Sequence, residues 1–430
     1  MQFPGAITGG VLALLLFFPV PSAQAFSAGA DISVHGFIDG RYGIRLQEDR
    51  YQRSTSLGEA RVQLGLRRDG ELVSWQLRTD LVHDEVAQQT DQDFEAGTGP
   101  VDLREANLLF FPLPSVDVKL GRQILTWGTG DLLFINDLFP KDWRSFFIGR
   151  DVEYLKAPSD ALFISFFPAF ANIDVAWTPR FDADRYIRGE RISYWNPLLG
   201  RRAGEDAISD PQLRDRWGHD DELAVRVSKN IASYESAFYT YKGFWKSPVG
   251  FNPATLRTTF PRLSVYGASL RGGLAGGIAT FEAGYYDSRD DRDGTDPAVP
   301  NSEWRLLAGY EQQVGHNLSV SVQYYLESMG DYGGYVNGLP PGSPARDRNR
   351  HVFTTRLTRL ALSQTLTLSL FVYYSPSDGD GYLRPNINYK LTDAWLLTSG
   401  GNLFIGEDDH TFFGQFERNN NLYAGVRYSF

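Results

Sequence analysis

The chain has no cysteine, two methionines and six histidines in 430 residues. Without cysteine, neither a disulfide framework nor a thiolate metal site can hold it together. The histidines, His35, His83, His219, His316, His351 and His410, are scattered and show no H-x-H or H-E-x-x-H spacing. A G-x-S-x-G elbow is also missing, and no Ser-His pair stands out as nucleophile and base. These absences point away from an enzyme, and no cofactor or metal is expected. Residues 287–296 crowd acids together but lack the ligand spacing and closing glutamate of a calcium loop. They are expected to form a solvated loop, with loose divalent bridging as a lesser option.

Long apolar runs are equally scarce. Beyond residue 25 no stretch is long enough for a membrane helix, and the mean hydropathy is -0.31. This excludes a helical membrane protein but not one that crosses lipid with alternating strands, whose hydropathy averages out. A formal net charge of -10 argues against nucleic acid as a partner.

What is present fits strands and tight turns: aromatics make up 14% and glycine occurs 43 times. Near the start, Val11 to Val20 form a short apolar run followed by Pro21-Ser22-Ala23-Gln24-Ala25. The run is too short to span a bilayer, and Ala23-Gln24-Ala25 is an A-x-A cleavage signal. Residues 1–10 carry no Lys or Arg, so the positive charge of this segment rests on the α-amino group. Residues 1–25 are expected to be a signal peptide and 26–430 a single domain.

At the other end, Phe430, Tyr428, Val426, Ala424 and Leu422 share one strand face, and Ser429, Arg427, Gly425, Tyr423 and Asn421 the other. Alternation that runs into a terminal aromatic suits the closing strand of a barrel in lipid, with the ring at the membrane interface. The same period starts at residue 32. It predicts strands near 32–47, 58–68, 71–82, 102–111, 115–124, 159–167, 170–178, 221–229, 233–243, 261–271, 275–286, 303–313, 317–327, 351–361, 365–374, 381–390, 394–404 and 421–430. That makes eighteen, or sixteen to twenty if one hairpin merges or splits. Turn-like connections such as 68–70, 111–114, 314–317, 362–364 and 391–393 alternate with long polar ones at 83–101, 125–158, 179–220, 244–260, 287–302, 328–350 and 405–420. The expectation is an all-β, closed antiparallel transmembrane β-barrel. Its short turns and both termini face the periplasm, and its long loops face outward.

A barrel of this size is too wide for side chains to fill, so the polar face of each strand is expected to line a water-filled pore. The pore-lining candidates are Asp39, Arg41, Arg45, Arg61, Arg78, Asp80, Lys119, Glu222, Arg226, Glu282, Arg305, Glu311, Gln323, Glu327, Arg356, Arg384, Asn386, Asn388, Lys390 and Arg427. Cations modestly outnumber acids here, while the excess acid sits in loops such as 84–95 and 287–296. An anion-tolerant lumen behind acidic loops follows, with mixed wall charge and little selectivity as the alternative. The connection 126–158 is too apolar for a solvated loop and must bury its aromatics somewhere. One expectation is that it enters the barrel mouth as a constriction carrying Trp127, Asp131, Asp137, Asp142 and Arg144. The other is a lid on the rim, or a contact with lipid or a neighbouring subunit.

Leu120-Gly121-Arg122-Gln123-Ile124-Leu125-Thr126-Trp127-Gly128, with Arg104-Glu105-Ala106 before it and Asp137-Leu138-Phe139-Pro140-Lys141-Asp142 after it, resembles a group of Gram-negative outer-membrane barrels. These are loosely related to alginate-export-type porins. Leu307 to Glu311, Gln323 to Glu327, Ser375 to Asp378 and Leu383 to Pro385 fit the same likeness, as does the terminal phenylalanine. The resemblance speaks to fold and outer-membrane location; with the polar lumen, the expectation is a channel that passes small hydrophilic solutes down a gradient. An alginate exporter would have a strongly basic conduit, and the wall here is mixed. Alternatives are an export conduit for an anionic polysaccharide, a barrel sheath around an electron-transfer protein, and a plugged structural or adhesive barrel. Implied partners are outer-membrane lipid and lipopolysaccharide, the barrel-assembly machinery acting on Tyr428 and Phe430, a small solute, and a possible homo-oligomer.

Overall fold

A computed structural model describes residues 26–27, 32–87 and 91–430. The expected signal peptide, 1–25, lies outside them. Eighteen strands form one antiparallel sheet: β1 (Ile32–Arg45), β2 (Thr55–Arg68), β3 (Val73–Asp84), β4 (Val101–Leu113), β5 (Val116–Gln123), β6 (Ser159–Phe166), β7 (Asn172–Thr178), β8 (Glu222–Ile231) and β9 (Tyr234–Phe244), then β10 (Arg262–Leu274), β11 (Gly277–Ser288), β12 (Glu303–Gly315), β13 (Leu318–Met329), β14 (Asn349–Ala361), β15 (Leu366–Ser375), β16 (Asp380–Lys390), β17 (Trp395–Ile405) and β18 (Asn421–Ser429). Each pairs with its neighbours in sequence, and β18 pairs with β1 through Ile38↔Tyr428 and Asp39↔Arg427. The barrel is therefore closed, and its strands have no edge to leave main-chain groups unpaired in lipid.

The connections follow the expected alternation. Those after the even-numbered strands are tight. Between β10 and β11 only Ala275 and Gly276 intervene, both at positive φ (48° and 83°), which is the two-residue turn that matches strand twist. Those after the odd-numbered strands are mostly long, and some carry small elements of their own, such as the helix Tyr332–Gly338 and the ribbon of Tyr194–Asn196 with Arg201–Ala203.

The two faces of the sheet differ as alternation requires. Outward-facing Val62, Leu64, Leu108, Leu120, Val227, Leu270, Phe281, Val322, Leu357, Leu368 and Leu397 are exposed. This continuous apolar band is far larger than a water-facing surface tolerates. Aromatics flank it at both strand ends: Tyr42, Trp177, Trp304 and Tyr374 near the long loops, and Tyr389, Trp395, Tyr428 and Phe430 near the turns. Trp395 and Tyr428 pack with centroids 5.0 Å apart. No helix among the described residues is long and apolar enough to cross a membrane.

One bulge matters for what lies inside. Arg78 pairs with Glu105 but Thr79 pairs with Leu103, so Arg104 is the extra residue on β4. An extra residue kinks a strand and re-aims side chains. Here it lets Arg104 and Glu105 both turn away from the lipid-facing side, and Arg104 is almost wholly buried.

Candidate functional site

The connection between β5 and β6, residues 124–158, lies inside the barrel. Its Leu133, Ile135, Phe139, Phe146, Phe147 and Ile148 pack with the inward side chains of Val265, Tyr286, Leu307, Tyr382, Phe404 and Tyr423 in one core. This is how the segment buries the aromatics that water would not accept.

Polar anchors fix its position. Glu282 on β11 is 1% exposed, and its carboxylate gathers donors from one turn of the loop. The backbone N–H groups of Thr129, Gly130 (2.9 Å) and Asn136 (3.3 Å) donate to it, as do Thr129 Oγ1 (2.8 Å) and Asn136 Nδ2 (2.9 Å). A buried carboxylate is tolerated only when so satisfied. Gly128, at φ 81°, brings the chain past this carboxylate; a Cβ there would sit 3.2 Å from its oxygen. One residue on, Gln323 of β13 exchanges two hydrogen bonds with the Asp131 backbone, at 2.8 and 2.9 Å. The Asp131 carboxylate meets Arg356 of β14 in a two-pronged pair.

Other loop candidates serve the loop itself. Trp127 packs edge-on against Phe139 (4.9 Å) and near Tyr239 (6.1 Å) of the wall. Asp137 accepts from Thr126 Oγ1 (2.8 Å) and pairs with Lys141 (3.0 Å). Asp142 caps the helix α1 (Trp143–Ile148) by accepting from the Ser145 N–H (2.8 Å), and lies 3.5 Å from Arg185. Burial by itself would raise the Asp142 carboxyl, but the guanidiniums of Arg144, Arg185 and Arg150 outweigh it and hold the group below its ordinary range. Arg144 donates to the Ala96 carbonyl and lies 4.0 Å from Glu190.

The wall candidates fall into two groups. Towards the loops, most hold inserted chain. Arg41 pairs with Asp39 (2.7 Å) and donates to the Gly149 carbonyl (2.8 Å), and Arg427 bridges Asp39 (2.9 Å) and Asp151 (3.3 Å). Arg45 donates to Asn419 and to the Arg191 carbonyl, Arg61 pairs with Glu59 and Asp80, and Arg384 donates to the Arg150 carbonyl. Arg305 pairs with Glu303 and Arg350 with Glu327, while Lys246 reaches Glu222 (2.6 Å). Towards the turns, Arg78 pairs with Glu105 (2.9 Å) and Arg226 with Asp174 and Glu235. Asn386 and Asn388 bond to each other (2.8 Å), Lys119 is half-buried, and Glu311 and Lys390 are exposed.

Several charged residues here were not among the expected ones. Arg150, at the end of the inserted loop, pairs with Glu59 (2.5 Å); Arg185 and Arg191, from residues 179–221, reach Asp102 (2.7 Å) and Asp84. Tyr154 donates to Asp80 (2.6 Å) beneath the guanidiniums of Arg61 and Arg104, 4.4 and 4.8 Å from its ring. The only hint in the sequence is the run Arg185-Tyr186-Ile187-Arg188-Gly189-Glu190-Arg191, where basic and apolar residues mix as at a buried contact. Arginines also partner some of the acids expected in the loops. Asp84 is drawn to Arg191, and Glu95 to Arg180 (2.9 Å) and Arg122 (3.3 Å).

Beside β2–β4 the inserted segments leave a cavity of about 440 Å³, lined by Arg61, Arg144, Arg150, Arg188 and Arg191 with Asp84, Asp102 and Glu190. Arg191 Nη1 is buried without a hydrogen-bond partner. Burial, with the like charge of Arg150 beside it, pulls this guanidinium down from its usual value despite Asp84. Guanidiniums outnumber carboxylates in its lining, five to three. A second cavity of about 450 Å³ lies across the loop, against β10–β15. Among the described residues no His, Cys, Asp or Glu cluster has a metal-holding arrangement.

No protein-family model matches the chain, and no curated protein matches it by sequence. Solved structures do match. OccAB1 of Acinetobacter baumannii aligns over 95% of this chain and 98% of its own, with a TM-score of 0.55 at 10% identity. OccK11 (OpdR) of Pseudomonas aeruginosa aligns over 93% and 95%, at 0.53 and 9%. OccK3 (OpdO) of the same organism aligns over 93% and 96%, at 0.51 and 10%. The likeness is one of fold, the closed eighteen-strand barrel.

Proposed function

We propose that this chain is an outer-membrane channel through which small hydrophilic solutes diffuse down their gradient. The observation that carries it is the pairing of an unbroken apolar belt outside with a charged wall and open cavities inside. Only a barrel set in lipid and filled with water satisfies both faces at once. Proteins of the same fold that match here are outer-membrane porins and substrate-specific channels. On this reading residues 1–25 direct export, the tight turns and both ends face the periplasm, and loop 124–158 sets the size limit. Tyr428 and Phe430 serve barrel assembly, and the belt meets lipid and lipopolysaccharide.

Planar-bilayer recordings of the purified barrel test this. Stepwise ohmic openings are expected, with a reversal potential favouring anions because of the arginine-lined cavity. An insulating barrel would refute the channel, and a cation preference would refute its polarity. The same cavity also favours a second reading, a conduit for an anionic polysaccharide, in keeping with the likeness around Gly121-Arg122-Gln123. That reading expects saturable block of the current by alginate, with no block by a neutral polymer of equal length.

A further inference from the structure

The cavity across the loop differs in kind from the arginine-lined one. Rings dominate its wall: Trp143 and Tyr186 come from the loops, and Trp245, Tyr286, Tyr325 and Tyr373 from the barrel side. Its charges already have partners: Lys246 reaches Glu222 at 2.6 Å, and Asp184 accepts from Trp143 Nε1 (3.1 Å) and Ser247 Oγ (2.8 Å). Lys141 holds Asp137 at 3.0 Å, Arg350 holds Glu327 at 3.4 Å, and Arg305, paired with Glu303, lies over the Tyr286 ring at 4.0 Å. Two donors in this wall have no partner. The indole N–H of Trp245 and Nη2 of Arg350 belong to residues only 9% exposed, and neither finds an acceptor. At the rim Val249 and Phe412 are 49% and 43% exposed, so the chamber communicates with the loop side.

Each feature narrows the occupant. A concave chamber walled largely by rings, whose charged groups are already partnered, has the usual shape of a small-molecule site, and its ring faces and edges favour another ring. An anion would meet guanidiniums that already have carboxylates, and would gain little. A sugar needs a partner for each of its several hydroxyls, and the buried unpaired donors in this wall are two. A plain hydrocarbon would leave both donors unmet. We propose that this chamber binds a small, uncharged aromatic solute bearing an oxygen acceptor, of the phenol or aromatic-alcohol class, on its way through the barrel. This rests on the channel reading and names one substrate class for it.

The test is current block of the full-length barrel in planar bilayers, comparing 2-naphthol, its saturated counterpart decahydro-2-naphthol, 2-naphthoate and glucose. Half-block by 2-naphthol is expected at a concentration roughly tenfold below that of the saturated alcohol, since the two differ in ring stacking but not in skeleton. Trp245→Leu is expected to weaken the block roughly tenfold, and Trp245→Phe, which keeps a ring and loses the donor, by a smaller factor. Heat-modifiable gel mobility confirms that each variant is folded. Equal block by both alcohols, stronger block by 2-naphthoate or glucose, or indifference to both Trp245 substitutions would overturn the assignment while leaving the channel standing. A barrel that conducts nothing overturns the channel instead. The aromatic site is then judged by whether 2-naphthol, and not its saturated counterpart, changes the barrel's tryptophan fluorescence.

Discussion

Asp131 and Arg356 stand 225 residues apart in sequence and meet through two parallel hydrogen bonds of 2.5 and 2.7 Å, one partner on the inserted loop and the other on the barrel wall. Both are partly exposed, so the pair is worth about 0.5–1 kcal/mol rather than the several of a buried one. A contact of that size does not hold the barrel together. It biases where the loop tip rests. Asp131→Asn is therefore expected to leave heat-modifiable mobility unchanged and to add rapid current flicker in single-channel records. The exchange Asp131→Arg with Arg356→Asp is expected to quiet it again; flicker that persists in the exchanged protein would rule out the pair as its cause.

Glu282 is a different matter, because nothing else satisfies the backbone donors around it. Glu282→Ala leaves the N–H groups of Thr129, Gly130 and Asn136 buried without an acceptor, at a local cost of about 2–4 kcal/mol. The loop is expected to leave its seat. Trypsin should then cut the folded barrel after Lys141 or Arg144, bonds protected in the parent, and mean conductance should rise. Glu282→Gln keeps one acceptor oxygen and should lie between the two.

Asp182, in the connection between β7 and β8, gives a pH dependence of known sign. Burial comes first, and the carboxylates of Glu95, Glu222 and Asp160 add to it against Lys246, so its proton is held well above the ordinary aspartate range. A raised carboxyl contributes stability fully present below its unfolded value near 3.8, and this is lost as pH climbs through the folded value. Residues 179–221 are thus expected to resist proteolysis better in mild acid than in alkali. Asp182→Asn should flatten that profile; an unchanged slope in the variant would assign the effect elsewhere.

The barrel's closure is tested at Gly36. Its N–H and carbonyl exchange bonds of 3.0 Å with Phe430, whose ring lies over the glycine. A Cβ at Gly36 would fall 2.8 Å from that ring and 2.2 Å from the Gln63 carbonyl. Gly36→Val is expected to cut the yield of inserted, heat-modifiable barrel several-fold, as is deletion of Phe430. Conductance of the barrels that do form should be normal. Full assembly of both variants would remove this seam from the account of closure.

All eighteen strands were legible because a two-sided environment writes itself into every second residue, and β1 to β18 fall within a few residues of the alternating runs. The contacts of the interior were not. Trp127 reads as a pore residue by its place in an apolar loop, yet its ring is used in packing against Phe139. Arg104 and Glu105 are neighbours on β4, so strict parity would put them on opposite faces, and only the bulge opposite Arg78 and Thr79 turns both inward. Arg185 and Arg191 sit in a stretch whose mix of basic and apolar residues hints at burial but not at a partner, and Asp102 and Asp84 lie on strands about a hundred residues earlier. Periodicity reports which medium a face meets. It does not report which distant chain will fold over that face.

The inserted loop also has a mechanical consequence. It is fastened to β11, β13 and β14 on one side through Glu282, Gln323 and Arg356, and to β1 and β2 on the other through Arg41 and Glu59. A hollow cylinder of eighteen strands flattens easily into an ellipse when the surrounding bilayer squeezes it. A strut tied across its width couples the two walls, so flattening the cylinder would have to break these bonds.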